Sequence, residues 1–233
     1  MAPGENVTAT TTTSPDTPDW RALSRRVTDG GEITRAEALR ILQTPDDELL
    51  SVLDAAFAIR LRHFGHAVRL HVLRNARSGG CSEDCGYCSQ SSRARQGAAE
   101  RYPWQSREEI VAGAREAHRM KAVRYCVVSS GRAPANGEMS EICETVRAIK
   151  ADVPIQVCLS LGLLSPTQAR QLKEAGVDRY NHNLETSERH FPHLCTTHTH
   201  ADRMATARTA KAAGLELCCG GLLGAGETLE DRV

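Results

Sequence analysis

From residue 68 onward the chain repeats one unit: a short apolar run, a turn, then a helical stretch. The runs are 68–74, 124–129, 155–161, 178–184 and 215–223, and helical patterns occupy about 106–121, 138–150, 165–175 and 200–213. Parallel strands need crossover connections, so this alternation predicts a parallel sheet with a helix between each pair of strands. The punctuation agrees. Ser165 and Pro166 give the third helix an N-cap and a first-turn proline, and Gly176 and Gly214 stand where helix C-caps belong. A TIM-type (β/α) barrel suits the pattern better than an open sheet, because candidate ligands then come from several different strand ends. The fold class is α/β, with about five βα units.

Three segments are expected. Residues 1–18 are small, polar and proline-bearing, which predicts a disordered leader. Residues 19–67 form a helical extension of two helices. Thr34 caps the first, with Glu37 in capping-box spacing. The second carries Leu49, Leu50, Leu53, Phe57 and Leu61 on a helical period, and could cover the bottom of the larger domain or serve as a lid. Residues 68–233 hold the partial barrel.

The nine cysteines are too sparse, and odd in number, for a secreted disulfide scaffold. With no apolar run of membrane-spanning length, a cytoplasmic location follows as the expectation. Lys+Arg and Asp+Glu both number 29, which removes the charge-based case for nucleic acid or an anionic membrane as partner.

Cys81, Cys85 and Cys88 stand together in CSEDCGYC. Three thiolates would leave one iron of a [4Fe-4S] cluster free for an outside ligand, as catalytic metal sites keep a position open. Zinc held with His66 or His71, a Cys85–Cys88 redox pair and three packed cysteines are the alternatives, each less well matched by the spacing. Cys126, Cys158 and Cys218 fall on the second, third and fifth strand candidates, so matched heights would turn them into one barrel interior. Cys219 must face the other side of its strand and reads as packing. Cys143, beside Ile142, Val146 and Ile149, reads as core, and Cys195 is uncommitted. On the fourth strand Tyr180, His182 and Leu184 share one face and Asn181, Asn183 and Glu185 the other. Those amides and that carboxylate are either turn formers or polar groups in the barrel mouth. The glycines of GGLLGAGE, residues 220–227, allow close backbone approach to a ligand.

The run GCSEDCGYCSQ (80–90) resembles the cluster loop of biotin synthases, a branch of the radical S-adenosylmethionine enzymes. YNHNLETS (180–187), TTHTHADR (196–203) and CCGGLLGAGET (218–228) resemble the same family. The likeness covers residues from about 34 to the last. It implies that Cys81, Cys85 and Cys88 hold a [4Fe-4S] cluster whose open iron takes S-adenosyl-L-methionine. It further implies that Tyr87, Asn183, Glu185 and Arg203 contact that cofactor, Asn183 also touching substrate. Glu185 stands where some members carry aspartate, which alters its reach. Cys126, Cys158 and Cys218 match the cysteines of a deeper [2Fe-2S] cluster. The implied reaction inserts sulfur into dethiobiotin to form biotin by a deoxyadenosyl radical. Flavodoxin or ferredoxin is the implied electron donor, and a homodimer the implied full-length assembly.

An eight-unit barrel needs roughly 250 residues, and only 165 follow residue 68. The expectation is therefore that three units are missing, along with an arginine and an asparagine that relatives use. By itself the polypeptide is not expected to be a competent biotin synthase. A truncated reading frame, a fragment and half of a split enzyme all fit.

Overall fold

In the computed structural model, which describes residues 18–94 and 97–233, Thr34 caps a helix as its spacing predicts. Its hydroxyl accepts from the Glu37 amide, and the Glu37 carboxylate accepts from the Thr34 amide at 2.8 Å. That helix, α2 (Arg35–Leu42), belongs to a smaller unit ending at Ala67. Among its described residues the unit holds three helices rather than two. The addition is α1 (Trp20–Thr28), where Asp19 accepts from the Ala22 amide at 2.8 Å and Trp20 is buried. In α3 (Leu49–Phe64) the apolar period is present but not covered: Leu50 is 78% exposed and Leu53 53%. The leader expected over 1–18 lies, except for its last residue, outside the described residues. No helix among the described residues is long and apolar enough to cross a membrane.

The larger unit, Val68–Arg232, is the βα repeat. Its strands are β1 (His71–Arg77), β2 (Arg124–Ser129), β3 (Gln156–Ser160), β4 (Arg179–Asn181) and β5 (Glu216–Cys218). All neighbours pair in parallel, in the order β1-β2-β3-β4-β5. The connections are α4 (Arg107–Arg119), α5 (Met139–Asp152), α6 (Pro166–Ala175) and α8 (His200–Ala212), with a short unanticipated α7 (Phe191–Leu194) before the last. Ser106, Ser165 and Thr199 cap α4, α6 and α8 in complete capping boxes, and Gly176 ends α6 in the left-handed conformation. This architecture is part of a (β/α) barrel with a helical extension.

Strand limits differ from the sequence reading. β1 starts three residues late, because Val68 and Leu70 are exposed and only the Leu70 carbonyl reaches the sheet, accepting from Val123 N at 2.9 Å. β4 and β5 stop early. Beyond Asn181 the backbone still bonds across, His182 N to Cys218 O at 2.9 Å and Leu184 N to Gly220 O at 3.0 Å. Glu185, at φ 69°, then turns the chain out of the ladder.

Side chains alternate between two faces. Tyr125, Val127, Val157, Leu159 and Tyr180 point to the helices and are almost wholly buried with Ile110, Ile149 and Leu172. Cys143 lies in this core, as expected. The opposite face carries Leu73, Cys126, Cys158 and Arg179 at one height, since these are consecutive register partners. Asn181 pairs with Cys218 one step higher. Leu73 remains 60% exposed on this face.

Candidate active site

The cysteine loop leaves β1 through Gly79 and Gly80, both at positive φ (73° and 64°). A Cβ on Gly79 would lie 2.5 Å from the Arg101 side chain, so both conformation and space require glycine there. The loop closes on itself: Cys81 N donates to Gln90 O at 2.9 Å and Ser92 N to Cys81 O at 2.8 Å. Cys81, Cys85 and Cys88 thereby line one cavity of about 220 Å³ above the strand ends. Tyr87, Asn183, Glu185 and Arg203 line the same cavity. Loop residues and residues about 100 positions later thus meet in one place. Asn181 is there too, so the amides and the carboxylate are in the mouth of the sheet rather than spent on a turn.

Arg203 ties the walls together. Nη1 donates to the Asn183 carbonyl at 2.7 Å, Nη2 to the Tyr87 hydroxyl at 3.1 Å, and Nε to His198 Nε2 at 3.1 Å. Glu185 lies 3.5 Å from it, and the guanidinium sits 5.6 Å from the Phe191 ring centre. Burial pushes the Glu185 carboxyl up, and the charge of Arg203 opposes that rise. Burial also raises the Tyr87 hydroxyl. His182, buried with Nε2 unpartnered among the described residues, is pushed down to about 3 by burial, with Arg203 adding to the effect.

A second layer of residues backs the loop, and sequence reasoning left it unassigned. His198 Nδ1 contacts Glu83, whose carboxylate also meets Arg132 Nη1 at 3.2 Å and the Thr197 hydroxyl at 2.9 Å. Burial would raise the Glu83 carboxyl, but these partners hold it below its usual range. Asp84 accepts from the Thr196 and Thr197 amides. Cys195 is buried against Cys85 with the sulfurs 3.6 Å apart. The ligand atoms of Cys85, Cys195 and His198 all lie within 4.8 Å of one another. The histidine beside the cysteines is therefore His198, while His71 is engaged by Arg124 at 3.2 Å at the foot of β1. The one sequence signal was the unusual polarity of TTHTHADR, which has no helical or strand period.

Two of the strand cysteines, Cys126 and Cys158, lie one step lower, whereas Cys218 pairs with Asn181 and so stands a step above the matched height expected of it. Val128, Ser160 and Asn181 line the cavity, and two residues earlier on the same faces come Cys126, Cys158 and Arg179. Two residues along a strand is roughly 6.6 Å. Cys126 and Cys158 are direct register partners and titrate as a pair, so the first proton leaves more readily and the second is held. Cys218 is close enough to act electrostatically on Cys126. Beside them Arg179 grips Glu216 through Nε and Nη2 at 3.0 and 2.7 Å, and a strand step below buried Arg124 reaches Gln156 at 2.6 Å. Cys219 corrects an expectation: it is exposed rather than packed, because β5 ends at Cys218.

A radical SAM superfamily model matches residues 75–233. The chain belongs to the radical SAM superfamily. It is similar to the biotin synthase of Salinibacter ruber, 49% identical over 214 residues covering 92% of this chain and 59% of that protein. It is likewise similar to the biotin synthase of Lysinibacillus sphaericus, 48% identical over 215 residues, 92% of this chain and 64% of that protein. The chain thus spans about three fifths of the length of these relatives. Among solved structures, methylornithine synthase superposes with a TM-score of 0.81 at 21% identity, over 90% of this chain and 61% of that one. That likeness is one of fold.

Proposed function

We propose that this chain carries the catalytic half-barrel of a biotin synthase, acting on dethiobiotin. The observation that carries the reading is one cavity lined by Cys81, Cys85 and Cys88 together with Asn183, Glu185 and Arg203, directly above the paired Cys126 and Cys158. The donor chemistry fits iron–sulfur groups. Soft thiols are supplied in two sets, one in a cavity wall and one a strand step beneath it.

In this reading Cys81, Cys85 and Cys88 hold a [4Fe-4S] cluster, and Cys126, Cys158 and Cys218 hold a [2Fe-2S] cluster. When bound, these groups and S-adenosyl-L-methionine supply the hydrogen-abstracting radical and the sulfur that conversion of dethiobiotin to biotin requires. The protein's part is placement. Arg203 fixes the Asn183 backbone and the Tyr87 hydroxyl, so the Asn183 amide is presented to the cavity from a rigid support. Glu185, 7% exposed and countered by Arg203, offers an acceptor for the cofactor's hydroxyls without leaving an unpaired buried charge. Flavodoxin or ferredoxin would deliver the electron, and the reducing cytoplasm suits nine free cysteines.

The test is anaerobic reconstitution of the chain with iron and sulfide, followed by S-adenosyl-L-methionine and a one-electron reductant. Release of 5′-deoxyadenosine that rises with dethiobiotin is expected. Release indifferent to dethiobiotin would overturn the substrate, and no release from a chain with an intact [4Fe-4S] spectrum would overturn the activity.

A further inference from the structure

Cys195 stands outside the proposed ligand set. It does not line the cavity, yet its sulfur lies 3.6 Å from that of Cys85. Phe191 packs with both thiols, and Cys195 is 3% exposed. Water therefore has little access to the contact.

The remaining neighbours of Cys195 constrain where its proton can go. In the metal-free chain the thiol donates to Asp84 Oδ1 at 3.3 Å, an oxygen it shares with Thr196 N at 2.9 Å, Thr197 N at 3.2 Å and the Thr197 hydroxyl at 3.1 Å. His198 Nδ1 is 3.2 Å away. Because Arg203 Nε can only donate, His198 Nε2 must accept, and the ring proton sits on Nδ1. Nδ1 is thus a donor facing Glu83 and Cys195, not an acceptor for the thiol. The Thr197 hydroxyl, 3.4 Å off, already accepts from the Asp84 amide at 3.2 Å and turns its one proton to the Glu83 and Asp84 carboxylates. Among these groups the sulfur of Cys85 is the acceptor left without competing donors from the 195–198 segment.

The direction of the contact depends on Cys85. Without iron, Cys85 is itself placed to donate its S–H to Cys195. A Cys85 that ligates iron has no proton, and the donor role passes to Cys195. Cys81 differs, since its thiol meets the backbone amides of Glu83 and Gly131.

We propose that Cys195 is a positioning residue that donates its S–H to the Cys85 thiolate and raises the reduction potential of the [4Fe-4S] cluster. A donor on a ligating sulfur draws off charge and favours the reduced cluster, which is the more negative state. The inference rests on the cluster reading above and concerns only the cluster's energetics.

The experiment is an EPR-monitored redox titration of the reconstituted full chain and its Cys195→Ala, Cys195→Val and Cys195→Ser variants, with Cys219→Ser as a control for thiol loss. The Ala and Val variants are expected to shift the reduction equilibrium about tenfold toward the oxidised cluster, about 59 mV for one electron. Serine keeps a donor and is expected to recover most of that shift, and Cys219→Ser to show none. Should the Ala variant load poorly because of the space it leaves, the Val variant, which fills it without a donor, decides. Ala and Val variants at the unsubstituted potential, or a Ser variant displaced as far as Ala, would overturn the proposal. If the unsubstituted chain takes up no [4Fe-4S] cluster, the cluster reading falls and this inference with it. If it does and the potential ignores Cys195, this inference falls alone.

Discussion

The two cysteine sets of this chain are placed by different forces. The loop cysteines sit in a wall built from buried side-chain contacts between residues more than 100 apart in sequence, Glu83 to His198 and Tyr87 to Arg203 among them. The strand cysteines sit on a floor whose geometry is set by the backbone ladder, Cys126 opposite Cys158 through β2 and β3. A wall of this kind concentrates its stability in a few charged groups. A floor of this kind spreads it over many backbone bonds, so single side chains matter less there.

The largest test of that contrast is Arg203→Met. It strands Glu185 and removes donors to Asn183, Tyr87 and His198, and is expected to cost about 3–5 kcal/mol in urea unfolding. Adding Glu185→Gln should restore part of the loss, because no charge is then left unpaired. A cost below about 1 kcal/mol would mean the wall is not held by charge.

Next comes the joint between wall and floor. Gly162, just past β3, has φ 86°, and a Cβ there would lie 2.2 Å from the Arg132 carbonyl. Arg132 in turn holds Glu83 and the Thr197 carbonyl, the latter at 2.6 Å. Gly162→Ala is expected to cost about 2–3 kcal/mol and to loosen the loop's protection in hydrogen exchange. Protection unchanged in the loop would separate the two regions.

Acid supplies a third probe. His182 is neutral in the fold down to about 3, while the unfolded ring takes a proton near 6.5. The unfolded state therefore binds more protons between those values, so this contribution is constant above about 6.5 and falls as pH drops. At pH 5 the loss is about 2 kcal/mol. His182→Leu should flatten the denaturation profile from pH 7 to 5, and an equally steep profile in that variant would assign the acid sensitivity elsewhere. The smallest effect is expected on the floor: Cys126→Ala or Cys158→Ala should lower stability by about 1 kcal/mol, read by thermal melts, while abolishing [2Fe-2S] absorbance after reconstitution.

Much of the floor was legible because a strand's period of two is written into the chain. With Cys126 and Cys158 on neighbouring strands, the register decides whether they share a face, and here it pairs them directly. Strand ends were less legible, since β4 stops at Asn181 and the chain leaves the ladder at Glu185 in a left-handed conformation that only its surroundings explain. In the wall, the motif residues could be named from their resemblance, but Cys195 could not be assigned. A thiol in a loop has no period, and its partner Cys85 is 110 positions away. The helix at Trp20–Thr28 was missed because one capping aspartate and one tryptophan make a weak pattern.

The pairing of Cys126 with Cys158 has a practical consequence. Slipping β3 by one residue would turn Cys158 to the helices and leave Cys126 facing it from the wrong side of the sheet. A trivalent arsenical that needs two adjacent thiols would then lose its grip. The chain carries its own chemical ruler for strand alignment, one that could report, during refolding and before any iron is added, when the second and third strands have found each other.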